Sequence, residues 1–202
     1  MHKLVITLLA VLSTMTIKAE AGIFAFAGST REDSINKKLV YEAAYLAAEV
    51  GENLEVIDLK NYPIPFYDSD LESKEGLPVN AKKIRQMMIR NNCIIIASPE
   101  YNGSITAVLK NVLDWASRSE TGGPSREAFK GKTFIIMSAT PGAAGGVRGL
   151  IHLKEIIENI GGTVFFDQIT LGNAFKAFDE EGHLKDSKLK DKIKEIIRSA
   201  NQ

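Results

Sequence analysis

Five short strand-like runs, each followed by a stretch with helix-spaced apolar residues, constrain this chain more than any other feature. The runs are Ile23–Ala27, Leu54–Ile57, Cys93–Ala97, Thr133–Met137 and Thr163–Phe166. Cys93–Ala97 shows no apolar–polar alternation, as expected of a strand buried on both faces. Between the runs lie helical stripes. Ile35, Leu39, Ala43, Leu46, Ala47 and Val50 form the first, and Ile84, Met87 and Met88 mark a second that begins near Pro78. Ile105, Val108, Leu109, Val112, Leu113 and Ala116 form the cleanest stripe. Val147, Leu150, Ile151, Ile157 and Ile160 form the next, which stops at Gly161-Gly162. Leu189, Ile193, Ile196 and Ile197 close the series. Strands that alternate with helices imply an α/β fold: a five-stranded parallel sheet, doubly wound, with helices on both faces and right-handed crossovers.

Composition narrows the function classes. A hydrophobic share of 45% supplies ample core. The 25 basic and 25 acidic residues cancel, so the chain lacks the basic excess of a nucleic-acid binder. The single cysteine, Cys93, forbids an intramolecular disulfide, and three histidines (His2, His152, His183) speak against a histidine-rich metal centre.

Residues 1–21 read as a leader: a basic start, an apolar run over Leu4–Leu12, and Ala19-Glu20-Ala21 as a small-x-small cleavage site. A helical extension and a start at Met15 are the alternatives. The run is too short and Thr-rich for a membrane span. Residues 22–202 then form a single domain. Two long irregular stretches, Tyr62–Gly76 and Ser117–Gly131, belong over a site or an interface.

In an open parallel sheet, ligands bind beyond the carboxyl ends of the strands at a topological switch point. Three loops stand there. After the first strand, Gly28-Ser29-Thr30-Arg31-Glu32-Asp33-Ser34-Ile35-Asn36 offers hydroxyls, a guanidinium and a helix N-terminus, a set suited to a phosphate. It is neither a Walker A loop nor G-x-G-x-x-G. After the third, Ser98-Pro99-Glu100-Tyr101-Asn102-Gly103-Ser104 makes a rigid loop with backbone amides for a planar ring. After the fourth, Ser138-Ala139-Thr140-Pro141-Gly142-Ala143-Ala144-Gly145-Gly146 is small enough for backbone to approach a ligand. Each loop alone also reads as an ordinary cap, turn or flexible link; their convergence at one sheet end favours a site.

The segments GSTREDSIN and SPEYNGSITAVLKNVLDW, in this order and strand context, resemble the NADPH-dependent FMN reductase family. The resemblance runs from about Gly22 to the fifth strand, and loosely to the C-terminus. It implies a flavodoxin-like fold with strand order 2-1-3-4-5 and a bound FMN. It implies that Ser29, Arg31, Ser34, Ile35 and Asn36 cradle the FMN phosphate, partly through backbone N–H groups. Pro99, Glu100, Tyr101, Asn102 and Gly103 would hold the isoalloxazine and ribityl parts, and Ser138 would complete the site. The implied activity is transfer of hydride from NADPH (or NADH) through FMN to a quinone, flavin or similar small acceptor. No catalytic acid or base is required, because the cofactor carries the chemistry. A flavodoxin-type electron carrier and a non-enzymatic flavin-binding protein are the alternatives; the zero net charge disfavours an acidic docking carrier.

The resemblance further implies a homodimer or homotetramer with FMN near a subunit interface. A cytoplasmic location fits a protein that folds before it takes up FMN, with export as the alternative. His152 reads as a surface or packing residue, His183 as part of a solvated turn, and Cys93 as a small hydrophobe. Asp114-Trp115 reads as packing, and the acids of Asp68–Glu75 as a solvated loop rather than a metal site.

Overall fold

A computed structural model describes residues 22–200. Strands β1 (Ile23–Ala27), β2 (Leu54–Ile57), β3 (Cys93–Ala97), β4 (Thr133–Ala139), β5 (Thr163–Val164) and β6 (Ile169–Leu171) form one parallel sheet. The order is β2-β1-β3-β4-β5, with β6 also paired to β4. This is the expected flavodoxin-like order, in which the winding of the sheet reverses between β1 and β3.

The helices are α1 (Ile35–Glu49), α2 (Ser69–Glu75), α3 (Val79–Arg90), α4 (Ala107–Ala116), α5 (Val147–Asn159) and α6 (Ser187–Ala200). Successive side chains of β1 alternate between two cores. Ile23, Ala25 and Ala27 meet Leu39, Ala43 and Leu46 of α1 and Ile193, Ile196 and Ile197 of α6. Phe24 and Phe26 meet Ile84 and Met88 of α3, Leu109 and Leu113 of α4, and Leu150 and Leu153 of α5. Both faces of the sheet are therefore covered, which explains the near-continuous apolar runs.

The sheet edge departs from expectation. The fifth strand is not one segment over Thr163–Phe166 but two short pieces. β5 pairs with the start of β4, and β6 pairs with Met137, Ser138 and Ala139 at its end. Phe165 still donates its N–H to the Phe134 carbonyl at 2.8 Å. The chain then leaves the sheet, with Phe166 exposed and Asp167 paired to Lys192 of α6 at 2.7 Å. An edge strand tolerates such a detour because one of its sides has no ladder to lose.

The second correction is α2, inside the segment expected as a loop. Seven mostly polar residues give no apolar stripe to read. Asp68 nucleates the helix by accepting the N–H groups of Asp70 and Leu71 at 2.7 and 3.1 Å. Its acids are not all solvated, since Glu72 is buried. Glu72 accepts both of its oxygens' bonds from Arg118 Nε at 2.9 Å, the Tyr67 hydroxyl at 3.0 Å and the Gly123 N–H at 3.2 Å. The two long irregular stretches are thus tied to each other. The first is also fixed to α4: the Pro65 carbonyl accepts from Trp115 Nε1 at 2.8 Å and from Asn111 Nδ2 at 2.9 Å. The leader reading over residues 1–21 lies outside the described residues.

Candidate functional site

The carboxyl ends of β1, β3 and β4 open into one cleft. It is lined by Ser29, Arg31, Asp33, Ser34, Ile35 and Asn36 from the first loop and by Pro99, Glu100 and Tyr101 from the second. Ala139, Thr140 and Pro141 come from the third loop, and Phe175 from beyond β6.

The first loop is built around close contact. A Cβ on Gly28 would lie 2.9 Å from the Leu109 Cβ, so only glycine lets α4 approach the end of β1. Thr106 locks the approach. Its hydroxyl donates to the Gly28 carbonyl at 2.6 Å and accepts the Leu109 N–H at 3.2 Å, capping α4. The first and second loops are therefore held in register. Ser34 precedes α1 in extended conformation and supplies no side-chain cap. The N–H groups of the first helical turn are left without intrahelical partners, and they carry the positive end of the helix dipole. Arg31 lies exposed beside them and makes no ion pair among the described residues, whereas Lys37 and Lys60 pair with Asp58 at 2.7 Å and Glu32 at 3.3 Å. Uncapped helix, free guanidinium and the hydroxyls of Ser29 and Ser34 form a donor set that fits a phosphate dianion.

Asn36 has a different task for its side chain. Its Nδ2 donates to the Ala139 carbonyl at 2.8 Å, and its Oδ1 accepts the Ala139 N–H at 2.9 Å. The buried carboxamide is consumed in joining α1 to the end of β4, and only its backbone remains for a ligand.

The second loop turns tightly. Tyr101 and Ser104 exchange N–H···O bonds of 2.9 and 3.0 Å across Asn102 and Gly103. Asn102 (φ 53°) and Gly103 (φ 77°) both lie in the left-handed region, the signature of a type I′ turn. The N–H groups of Asn102 and Gly103 stand outside that exchange. Pro99 is buried, and Tyr101 is 50% exposed. Glu100 faces backwards: its Oε2 accepts the Gly149 N–H of α5 at 3.1 Å, and Arg148 stands 3.8 Å from Oε1. His152 adds a 3.0 Å contact to the Ser104 hydroxyl.

The third loop reads differently in three dimensions. Ser138 is wholly buried behind the cleft, and its hydroxyl has no hydrogen-bond partner among the described residues. A Cβ on Gly146 (φ 84°) would lie 1.9 Å from that hydroxyl oxygen. A Cβ on Gly172 would meet the Ala143 carbonyl at 2.4 Å. The glycines thus serve the packing of this loop on β4 and β6, and Ala139, Thr140 and Pro141 are the residues of the loop that line the cleft. Phe175 enters with no local signal, since α5 and the sheet edge separate it in sequence from the other lining residues.

The remaining chemical residues are structural. His183 is not free in a solvated turn: its Nδ1 lies 2.8 Å from buried Glu42, and its ring packs at a tilt of 51° against Tyr45, centroids 4.4 Å apart. Burial pushes the Cys93 thiol up to about 12, far from a nucleophile's range. Trp115 is fully buried, as packing requires.

Comparison with known proteins follows the same line. The sequence profile of the NADPH-dependent FMN reductase family matches residues 21–176. An NADPH:quinone oxidoreductase of Arabidopsis thaliana is 36% identical over 195 residues, covering 91% of both chains. An NAD(P)H-dependent FMN reductase of Pseudomonas aeruginosa is 30% identical over 184 residues, covering 88% of this chain and 91% of its own. In structure, the flavoenzyme NAD(P)H:(acceptor) oxidoreductase FerB of Paracoccus denitrificans superposes with a TM-score of 0.73 at 23% identity, over 90% of this chain and all of that one. The profile match over most of the chain and the identity to full-length relatives lead to one conclusion: this chain belongs to the NADPH-dependent FMN reductase family.

Proposed function

We propose that the protein is an FMN-dependent NAD(P)H oxidoreductase that reduces a quinone, a flavin or a similar small acceptor. The carrying observation is the cleft itself. It joins an uncapped helix N-terminus with an unpaired arginine to Pro99, Glu100 and Tyr101 at the start of a rigid turn, in a chain whose relatives are NAD(P)H-dependent reductases.

When bound, FMN would supply the redox chemistry between nicotinamide and acceptor. The rest is the work of this chain. The N–H groups at the start of α1, the Ser29 and Ser34 hydroxyls and Arg31 would hold the phosphate. Asn36 braces that seat against β4 through Ala139. Pro99 and the type I′ turn stiffen the loop that would hold the ring, and the Asn102 and Gly103 N–H groups would supply preorganised dipoles to it. Glu100 steadies this loop from behind through Gly149. Arg31 serves affinity for the phosphate, not the redox step.

The acting form is a homodimer or homotetramer in the cytoplasm. Phe66 stands exposed on a segment fixed to α4, and Val147 and Ile151 stand exposed on α5, which packs on the Tyr101 loop. These apolar side chains on rigid supports suit contact with a second copy. Among the described residues no helix is long and apolar enough to cross a membrane.

Steady-state oxidation of NADPH with benzoquinone as acceptor tests the proposal. Turnover that scales with FMN content supports it, and absence of turnover in FMN-loaded protein contradicts it.

A further inference from the structure

We propose that Phe175 is the platform on which the adenine of the nicotinamide donor stacks, so that the cleft binds both ends of one dinucleotide. This rests on the reading of the chain as an NAD(P)H-dependent flavoenzyme. Such a donor carries two flat ring systems joined by a pyrophosphate. The nicotinamide must lie on the flavin ring, which the Pro99–Gly103 loop would hold. The adenine then needs its own surface.

The cleft offers two exposed aromatic side chains. Tyr101 belongs to the ring-holding loop. Phe175 stands elsewhere, linked to the phosphate end by a continuous chain of bonds. Ala174 donates its N–H to the Thr140 carbonyl at 3.0 Å, and Thr140 follows Ala139, which Asn36 of α1 grips. FMN would gain little from a phenyl ring there, since the Pro99–Gly103 loop would hold its ring and the polar donors of the first loop its phosphate. A second nucleotide's base gains a full stacking face.

Phe175 is 75% exposed, and the exposure does not come from slack. Its neighbours Ala174 and Phe178 are buried. Asn173 turns the chain at φ 49° and donates to the Gly142 carbonyl at 3.3 Å. The return leg is fixed where Glu42 accepts the Leu184 N–H at 3.1 Å. The ring packs on no other aromatic ring among the described residues. A large apolar side chain held rigidly into water at the rim of a nucleotide cleft is a preorganised stacking surface.

The test is competitive inhibition of the FMN-loaded enzyme by adenosine 2′,5′-bisphosphate, measured against NADPH in wild type, Phe175→Ala and Phe175→Tyr. The expected result is a Ki weakened by about tenfold or more in Phe175→Ala, restored in Phe175→Tyr, with bound FMN unchanged in both. An unchanged Ki in Phe175→Ala overturns the inference. So does loss of FMN from that variant, which would make Phe175 part of the flavin seat. So does a bisphosphate that fails to compete in wild type. Failure of the parent reading shows earlier and separately, as wild-type protein that holds no FMN or oxidises no NADPH, and it removes this inference too.

Discussion

Asn36 and Ala139, 103 residues apart in sequence, exchange two hydrogen bonds through the carboxamide of one and the peptide groups of the other. The pair fastens the first turn of α1 to the last residue of β4, so the loops after β1 and β4 keep one spacing. Both ends are buried, and removal of the carboxamide strands a peptide N–H and carbonyl. Asn36→Ala should cost about 2–4 kcal/mol of stability. Asn36→Asp should cost at least as much, because a carboxylate oxygen then faces the Ala139 carbonyl. Denaturant unfolding of both variants checks this, and an Asn36→Asp protein as stable as wild type would contradict the geometry.

Arg31→Ala should weaken FMN binding by about ten- to a hundredfold, the usual worth of a charge-assisted bond to a phosphate. Riboflavin, which lacks the phosphate, should bind both proteins alike. Fluorescence titration separates the two flavins. Equal losses for FMN and riboflavin would place Arg31 away from the phosphate.

The Glu72 clamp makes stability depend on acid. Hydrogen bonds from Arg118, then from Tyr67 and Gly123, hold the Glu72 carboxyl below the ordinary glutamate range against the opposing cost of burial. A carboxylate depressed in the folded state stabilises above its unfolded pKa, and that contribution is lost as pH falls through the folded value. Melting temperature should therefore drop on acidification below the ordinary glutamate range. Glu72→Gln should start lower at neutral pH and show a flatter acid limb. Parallel acid limbs would exclude Glu72 as a source of the dependence.

Gly146→Ala should destabilise strongly. Its left-handed backbone disfavours a side chain, and the added methyl would meet the buried Ser138 hydroxyl. A loss of about 2–4 kcal/mol combines backbone strain with overpacking. A paired Ser138→Ala change, which removes the oxygen in the way, should recover part of it. Thermal melts of the single and double variants give the answer.

Much of this architecture is legible in the sequence, and the reasons it is legible also mark where reading stops. The buried runs of β1, β3 and β4 have no polar alternation, so their place in a covered parallel sheet follows directly. The 3.6-residue stripe of α4 does the same for its packed face. The loops after β1 and β3 announce themselves through polar residues next to strand ends. Other features depend on partners remote in sequence. The break between β5 and β6 depends on pairing with β4 at both of its ends. Helix α2 has no apolar stripe and is set by Asp68 and by the grip of Arg118 on Glu72. The glycines after β4 look like a ligand loop in one dimension but serve contacts with Ser138 and Gly172. Asn36 reads as a phosphate ligand, yet its side chain is spent on Ala139. Phe175 reaches the cleft only through the fold of the whole sheet edge.

The most direct test of the central claim is the visible absorbance spectrum of the purified protein, recorded before and after anaerobic addition of NADPH. Flavin bands, release of FMN on denaturation, and bleaching of those bands by NADPH with recovery on addition of benzoquinone are the expected result. A colourless protein that also fails to bind added FMN would contradict it.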